Sequence, residues 1–130
     1  MLQDYKPQLD TPKRQGRLAL VYIQATFASG VATVDTDKSS PRVTMVKSAT
    51  GRYTITFPKS QFVHWVGGGL DPAADDPTDA NEQDVSPRSL VASSGGTGTG
   101  FVLFRDSDDG ALRDPSDNTR CYITLLIGGN

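Results

Sequence analysis

The chain has 130 residues, a formal charge of −2, an apolar fraction of 36%, 13 glycines and 8 prolines. That length predicts one domain, burying roughly 70% of its unfolded surface without staples, and the modest apolar content with many turn formers predicts a β-protein with a small core. The charge balance argues against a nucleic-acid partner, and the single cysteine, Cys121, excludes an internal disulfide or a cysteine-based metal cluster. Leu2-Gln3-Asp4-Tyr5-Lys6 is no apolar leader, so no secretory signal is expected, and no apolar run nears the roughly 20 residues that cross a membrane.

Residues 1–17 hold Pro7, Pro12 and Gly16, with Lys6, Lys13, Arg14 and Arg17 against Asp4 and Asp10. They have no apolar period and read as an extended arm, either a frayed terminus or a segment that orders on a neighbour. Residues 18–130 are the expected domain. Leu18 to Phe27 is strand-compatible and apolar on both faces, with Leu18, Leu20 and Tyr22 opposite Ala19, Val21, Ile23 and Ala25. Such a strand is covered on both sides, and in so small a domain another subunit can supply the second cover. After Ala28-Ser29-Gly30 comes a shorter strand, Val31 to Val34, and then a polar loop from Asp35 to Pro41.

The clearest pattern in the chain is Arg42 to Pro58. Val43 and Met45 alternate with Thr44; Tyr53, Ile55 and Phe57 alternate with Arg52, Thr54 and Thr56. Period-two alternation predicts a hairpin with Val43, Met45, Tyr53, Ile55 and Phe57 buried and the threonines on the opposite face. Its turn lies in Lys47–Gly51, where Gly51 is free to take a positive φ. Gln61 to Val66 is the next strand, with Phe62, His64 and Val66 on one face and Val63 and Trp65 on the other, and Gly67-Gly68-Gly69 ends it. Leu70 to Asp84 carries Asp71, Asp75, Asp76, Asp79, Glu82 and Asp84 without a basic residue and reads as a long solvated loop. A strand follows around Ser89 to Ala92, with Pro87 at its edge or just before it. Gly95 to Gly100 is a connector, Phe101 to Phe104 a short apolar strand, Asp106 to Asp117 an acidic turn region, and Arg120 to Ile127 the last strand. No stretch has a helical period. About eight short strands with turn signals between them predict an all-β antiparallel sandwich, jelly-roll-like, with an extended N-terminal arm.

The candidate chemical motifs are thin. Gly95–Gly100 precedes a β-rich stretch, whereas a phosphate-binding glycine loop opens a helix. Asp106-Ser107-Asp108-Asp109-Gly110 resembles a calcium loop, but its glycine comes at the fifth position and no late glutamate follows. A different calcium site shared with the 71–84 loop stays open. His64 is the one histidine and no G-x-S-x-G element accompanies it, so a packed or interface role is favoured over catalysis. Cys121 reads as a small core hydrophobe. Tyr53, Trp65, Phe101 and Tyr122 can form an aromatic platform for sugar or single-stranded nucleic acid, but two acidic loops oppose a polyanion and aromatic core is the favoured role.

The hairpin text VTMVKSATGRYTITFP resembles the V-x-x-x-G-x-G-x-Y-x-I/V-x-F hairpins of small β-sandwich virion proteins of tailed bacteriophages, the capsid decoration or cement type. The ending, FVLFRDSDDGALRDPSDNTRCYITLLI, is similar to their F-x-V/L strand, D-P-x-D turn and final apolar strand. The likeness runs from Val43 to Ile127. This chain has Ala-Thr-Gly where a glycine pair is common, and comparable hairpins recur in unrelated sandwiches and C1q-like heads. The resemblance implies a structural, non-enzymatic protein without a cofactor. Such a protein is made in the host cytoplasm, sits on the capsid exterior, binds the major capsid protein and itself, and stabilises the shell. A tail or head fibre component is the near alternative. A calcium-assisted carbohydrate-binding module using Trp65 and the acidic loops competes with it, and a hydrolase on a sandwich scaffold is remote. The expected contacts are Tyr5 and Leu9 as apolar anchors of the arm and Lys13, Arg14 and Arg17 as partners of acidic surface. A homo-oligomer, dimer or trimer, would bury part of Leu18–Phe27 or the aromatic segment with Phe62 and Trp65.

Overall fold

The computed structural model describes residues 18–71, 83–107 and 109–129. They form eight strands: β1 (Leu18–Ala28), β2 (Val31–Val34), β3 (Thr44–Ala49), β4 (Arg52–Phe57), β5 (Phe62–Asp71), β6 (Gln83–Val91), β7 (Gly98–Asp106) and β8 (Arg120–Gly128). Two antiparallel four-stranded sheets, β2-β1-β8-β5 and β3-β4-β7-β6, pack face to face as the expected sandwich. The first and last strands are neighbours, Leu18 opposite Gly128 through Thr26 opposite Arg120, so the two ends of the domain close one sheet.

The hairpin is β3 and β4. Met45, Tyr53, Ile55 and Phe57 are buried, Val43 packs partly buried against them, and Thr44, Thr54 and Thr56 face away. Gly51 turns the chain at φ 67°, a conformation that costs a residue with a β-carbon about 1–2 kcal/mol. The core adds Val21, Ile23, Ala25 and Phe27 from β1, Val102 and Phe104 from β7, and Cys121, Ile123, Leu125 and Ile127 from β8. Phe27, Tyr53 and Phe104 meet edge to face with ring centroids 5.2–5.4 Å apart, the arrangement that aromatic quadrupoles favour.

Four sequence expectations change. Gly67-Gly68-Gly69 does not end β5 but lies inside it, opposite Thr124, Ile123 and Tyr122. Glycine survives there because the Trp65 indole lies where an inward side chain at position 68 would stand; a β-carbon on Gly68 would fall 2.6 Å from the ring. Asp71 and Asp84 belong to strands β5 and β6 rather than to the loop; residues 72–82 of that loop lie outside the described residues. β6 begins at Gln83 and runs through Pro87. Proline is tolerated because β6 is an edge strand, where a missing amide leaves no partner unsatisfied. Finally, the glycine connector stops at Thr97, since Gly98 and Gly100 open β7 and face inward under the Phe57 ring and the Leu90 side chain.

Candidate interaction surface

Side chains alternate along a strand, so β1, β8 and β5 each bury one set of residues and present another on the outside of their sheet. The register aligns the outward sets in rows: Leu18, Gly128 and Phe62; Leu20, Leu126 and His64; Tyr22, Thr124 and Gly67; Gln24, Tyr122 and Gly69; Thr26, Arg120 and Asp71. The first two rows are apolar except for His64. Leu18 and Phe62 converge over Gly128, where a β-carbon would lie 2.7–2.9 Å from both, and the Phe62 and His64 rings are 5.3 Å apart. Leu18, Leu20 and Tyr22 are 57%, 49% and 48% exposed, and Tyr122 39%. The tract is on the order of 500 Å², within the ~300–600 Å² typical of the largest, often functional, patch on a monomer.

The far end of this face is polar and ordered. Asp71 Oδ2 accepts from Arg120 Nη2 at 2.7 Å and from the Tyr122 hydroxyl at 3.2 Å. Between the two ends, among the described residues, no side chain stands over Gly67 or Gly69, leaving a shallow notch beside Tyr122 and Thr124. The β1 edge is covered only in part. β2 pairs with Ala25–Ala28, and Ser39, Ser40 and Asp35 take up the backbone of Tyr22 and Gln24.

Of the sequence-chosen contact residues, Phe62 lies on this face and Trp65 does not. The Trp65 ring turns inward and packs on the core, because neighbouring strand positions point to opposite faces and Gly68 leaves it room. Tyr5, Leu9, Lys13, Arg14 and Arg17, with the arm of residues 1–17, lie outside the described residues. The proposed four-ring platform is not assembled: Tyr53 and Trp65 point into the sandwich and Tyr122 out of it. Phe101 carries Arg52 over its ring on the other sheet, 4.6 Å from the centroid. Leu126 and the glycine notch had no part in the sequence reading; counting alternate residues back from Leu126 puts it on one face with Thr124 and Tyr122.

Two further places, around Asp114 and at Cys121, hold groups whose acidity the fold shifts. Asp114 binds Lys47 Nζ at 2.5 Å and the Gly51 amide at 2.8 Å, and the Tyr53 hydroxyl, 3.5 Å away, donates to the Gly30 carbonyl at 2.5 Å. Burial opposes ionisation of Asp114, but the Gly51 amide, Lys47 and Tyr53 outweigh it and hold the carboxyl below its ordinary value. Burial, with Asp114 beside it, pushes the Tyr53 phenol well above its ordinary value. This cluster ties the β1–β2 turn and the β7–β8 connection to the β3–β4 hairpin. Burial pushes the Cys121 thiol up to about 12 and keeps it protonated, next to Met45 Sδ at 4.0 Å. Among the described residues no three His, Cys, Asp or Glu side chains are grouped to hold a metal ion. The calcium reading of the acidic loops falls largely outside those residues, on 72–82 and Asp108. Comparison with known proteins returns no matching family, no matching curated sequence and no matching solved structure.

Proposed function

We propose that this chain is a structural virion protein of the capsid decoration type, acting through surfaces rather than by catalysis. It is made in the host cytoplasm, assembles on the outside of a major capsid shell, binds the major capsid protein and copies of itself, and stabilises the shell without a cofactor. The observation that carries the reading is the outer face of β1, β8 and β5. Leu18, Leu20 and Tyr22, exposed, and Phe62 and Leu126, half-buried, form an apolar tract that no described strand covers. A rigid sandwich with such a face suits a protein that lies on a larger assembly. The resemblance of the hairpin and closing strands to phage decoration proteins supplies the kind of assembly.

Co-sedimentation with empty capsids of tailed phages tests the proposal. Retention on the shell, a rise in its melting temperature, and loss of both in Leu20→Lys are the expected results. Binding to isolated tails or fibres alone would shift the role to a fibre component. A carbohydrate module would instead bind glycan arrays and gain thermal stability from calcium; failure on shells combined with that result overturns the proposal.

A further inference from the structure

Each of the two sheets ends in two edge strands, and natural proteins guard such edges because unpaired amides and carbonyls recruit other strands. Three of the four are guarded here. β2 is only four residues long. β3 has a register break after Lys47, whose charged head is fastened to Asp114. β6 carries Asp84, Pro87 and Arg88, then a register break with Ser89 at φ 54°. β5 is different. It is ten residues long and has no proline, and His64, turned to the outer face, is its one ionisable side chain before Asp71 at the very end. Its single irregularity is the bulge at Val66 between Trp65 and Gly67. Among the described residues β5 is hydrogen-bonded to β8 on one side and to no strand on the other, where β6 of the second sheet comes within 8 Å without pairing.

We infer that two copies of this chain pair through their β5 edges across a two-fold axis, joining the two β2-β1-β8-β5 sheets into one. The charge pattern selects a second copy as the occupant. A two-fold axis across the sheet makes the paired β5 strands antiparallel and asks one sequence to complement itself. Centred on Val66 and Gly67, the pairing sets Asp71 of each copy opposite Phe62 of the other, so no like charges face. Val66, 57% exposed, stands opposite the bare Gly67 of the other copy and one strand position from its own counterpart, and Gly67 and Gly69 allow close approach. Edge pairing also keeps both outer faces open on the same side of the joined sheet. The dimer then offers two copies of the apolar tract on one side, each beside the polar end of the other copy. The inference deepens the proposed role, since it names the self-contact of a shell-binding protein, but it is read in solution and fails separately from shell binding.

Sedimentation equilibrium of the full chain over a concentration series tests it. The expected result is a monomer–dimer equilibrium whose Kd rises about tenfold or more in Val66→Lys, where like charges are forced together. Val46→Lys, at a comparably exposed site (62%) on the edge strand β3, should leave Kd within about twofold. Circular dichroism and thermal melts establish that both variants fold. As an independent readout, Val66→Cys should form an intermolecular disulfide under mild oxidation, and Val46→Cys should not; the native Cys121 is buried. Leu20→Lys should leave the dimer intact while weakening retention on capsids. Three results overturn the inference: a monomer at every concentration, a dimer broken by Leu20→Lys but not by Val66→Lys, or a dimer that disappears only when residues 1–17 are deleted.

Discussion

The two outer faces of this sandwich are built on equally buried inner faces and yet differ in kind. Outside β3-β4-β7-β6 lie Thr44, Thr54 and Thr56 with the exposed Val46 among them, the Thr44 and Thr56 hydroxyls hydrogen-bonded across the hairpin and Arg52 laid over Phe101. Outside β1, β8 and β5 lie Leu18, Leu20, Tyr22, Phe62 and Leu126. Folding requires only the inner faces, which the core residues fill on both sheets. An outward leucine gains little from folding and raises the risk of aggregation. The contrast therefore separates residues that hold the fold from residues available to a partner, and substitutions can break or sharpen that division.

The largest effect is expected inside. Ile55→Ala removes a fully buried side chain at the centre of the hairpin and should cost about 2–5 kcal/mol in urea unfolding. A loss near zero would mean that the inner face is not the source of stability. Next comes the triple glycine. Gly68→Ala pushes a methyl into the Trp65 ring and should cost about 1–3 kcal/mol as an overpacking change. Gly67→Ala and Gly69→Ala meet open space and should stay within about 0.5 kcal/mol of wild type. Equal penalties at all three positions would contradict the assignment of their faces.

The Asp114 cluster makes a pH prediction. Its carboxyl titrates lower in the folded chain than in the unfolded one, so the unfolded state takes up the proton first. Its contribution is therefore present above the ordinary carboxyl value near 4 and is lost as pH falls through the lower folded value. Asp114→Asn should cost about 1–2 kcal/mol at pH 7, and the gap from wild type should close at acid pH. A gap of the same size at both pH values would show that charge is not the source. The smallest effect belongs to the outer faces. Leu20→Thr on one sheet and Thr54→Val on the other should each change stability by no more than about 0.5 kcal/mol. Only Leu20→Thr should reduce retention on capsids; equal loss from both would erase the distinction between the faces.

Much of this was legible in the residues, and unevenly so. The hairpin faces followed from alternation alone, because period-two geometry is a property of any extended strand and Tyr53, Ile55 and Phe57 leave no second solution. The eight strands followed from apolar runs and turn residues. The limits of β5, β6 and β7 did not. Gly67–Gly69 and Gly98–Gly100 read as breaks because glycine has no side chain to bury. Their burial is supplied by Trp65, Phe57 and Leu90, which reach over from other positions. Pro87 read as a strand limit because proline cannot donate to a ladder, and only its place on an edge removes that objection.

What the sequence determined by itself was local: which residues extend, which faces they present, where Gly51 turns the chain. The apolar double face of Leu18–Phe27 was visible there too, as a strand with more apolar surface than one core can cover. Tertiary structure decided the rest. It placed β8 between β1 and β5, so that Leu18, Leu20, Leu126 and Phe62 from three distant segments meet on one surface. It turned Trp65 inward and Phe62 outward, and fastened Asp71 to Arg120 and Tyr122. Alternation is written into each strand, but which strands lie side by side depends on the energy of packing the whole sandwich, and no single segment encodes that.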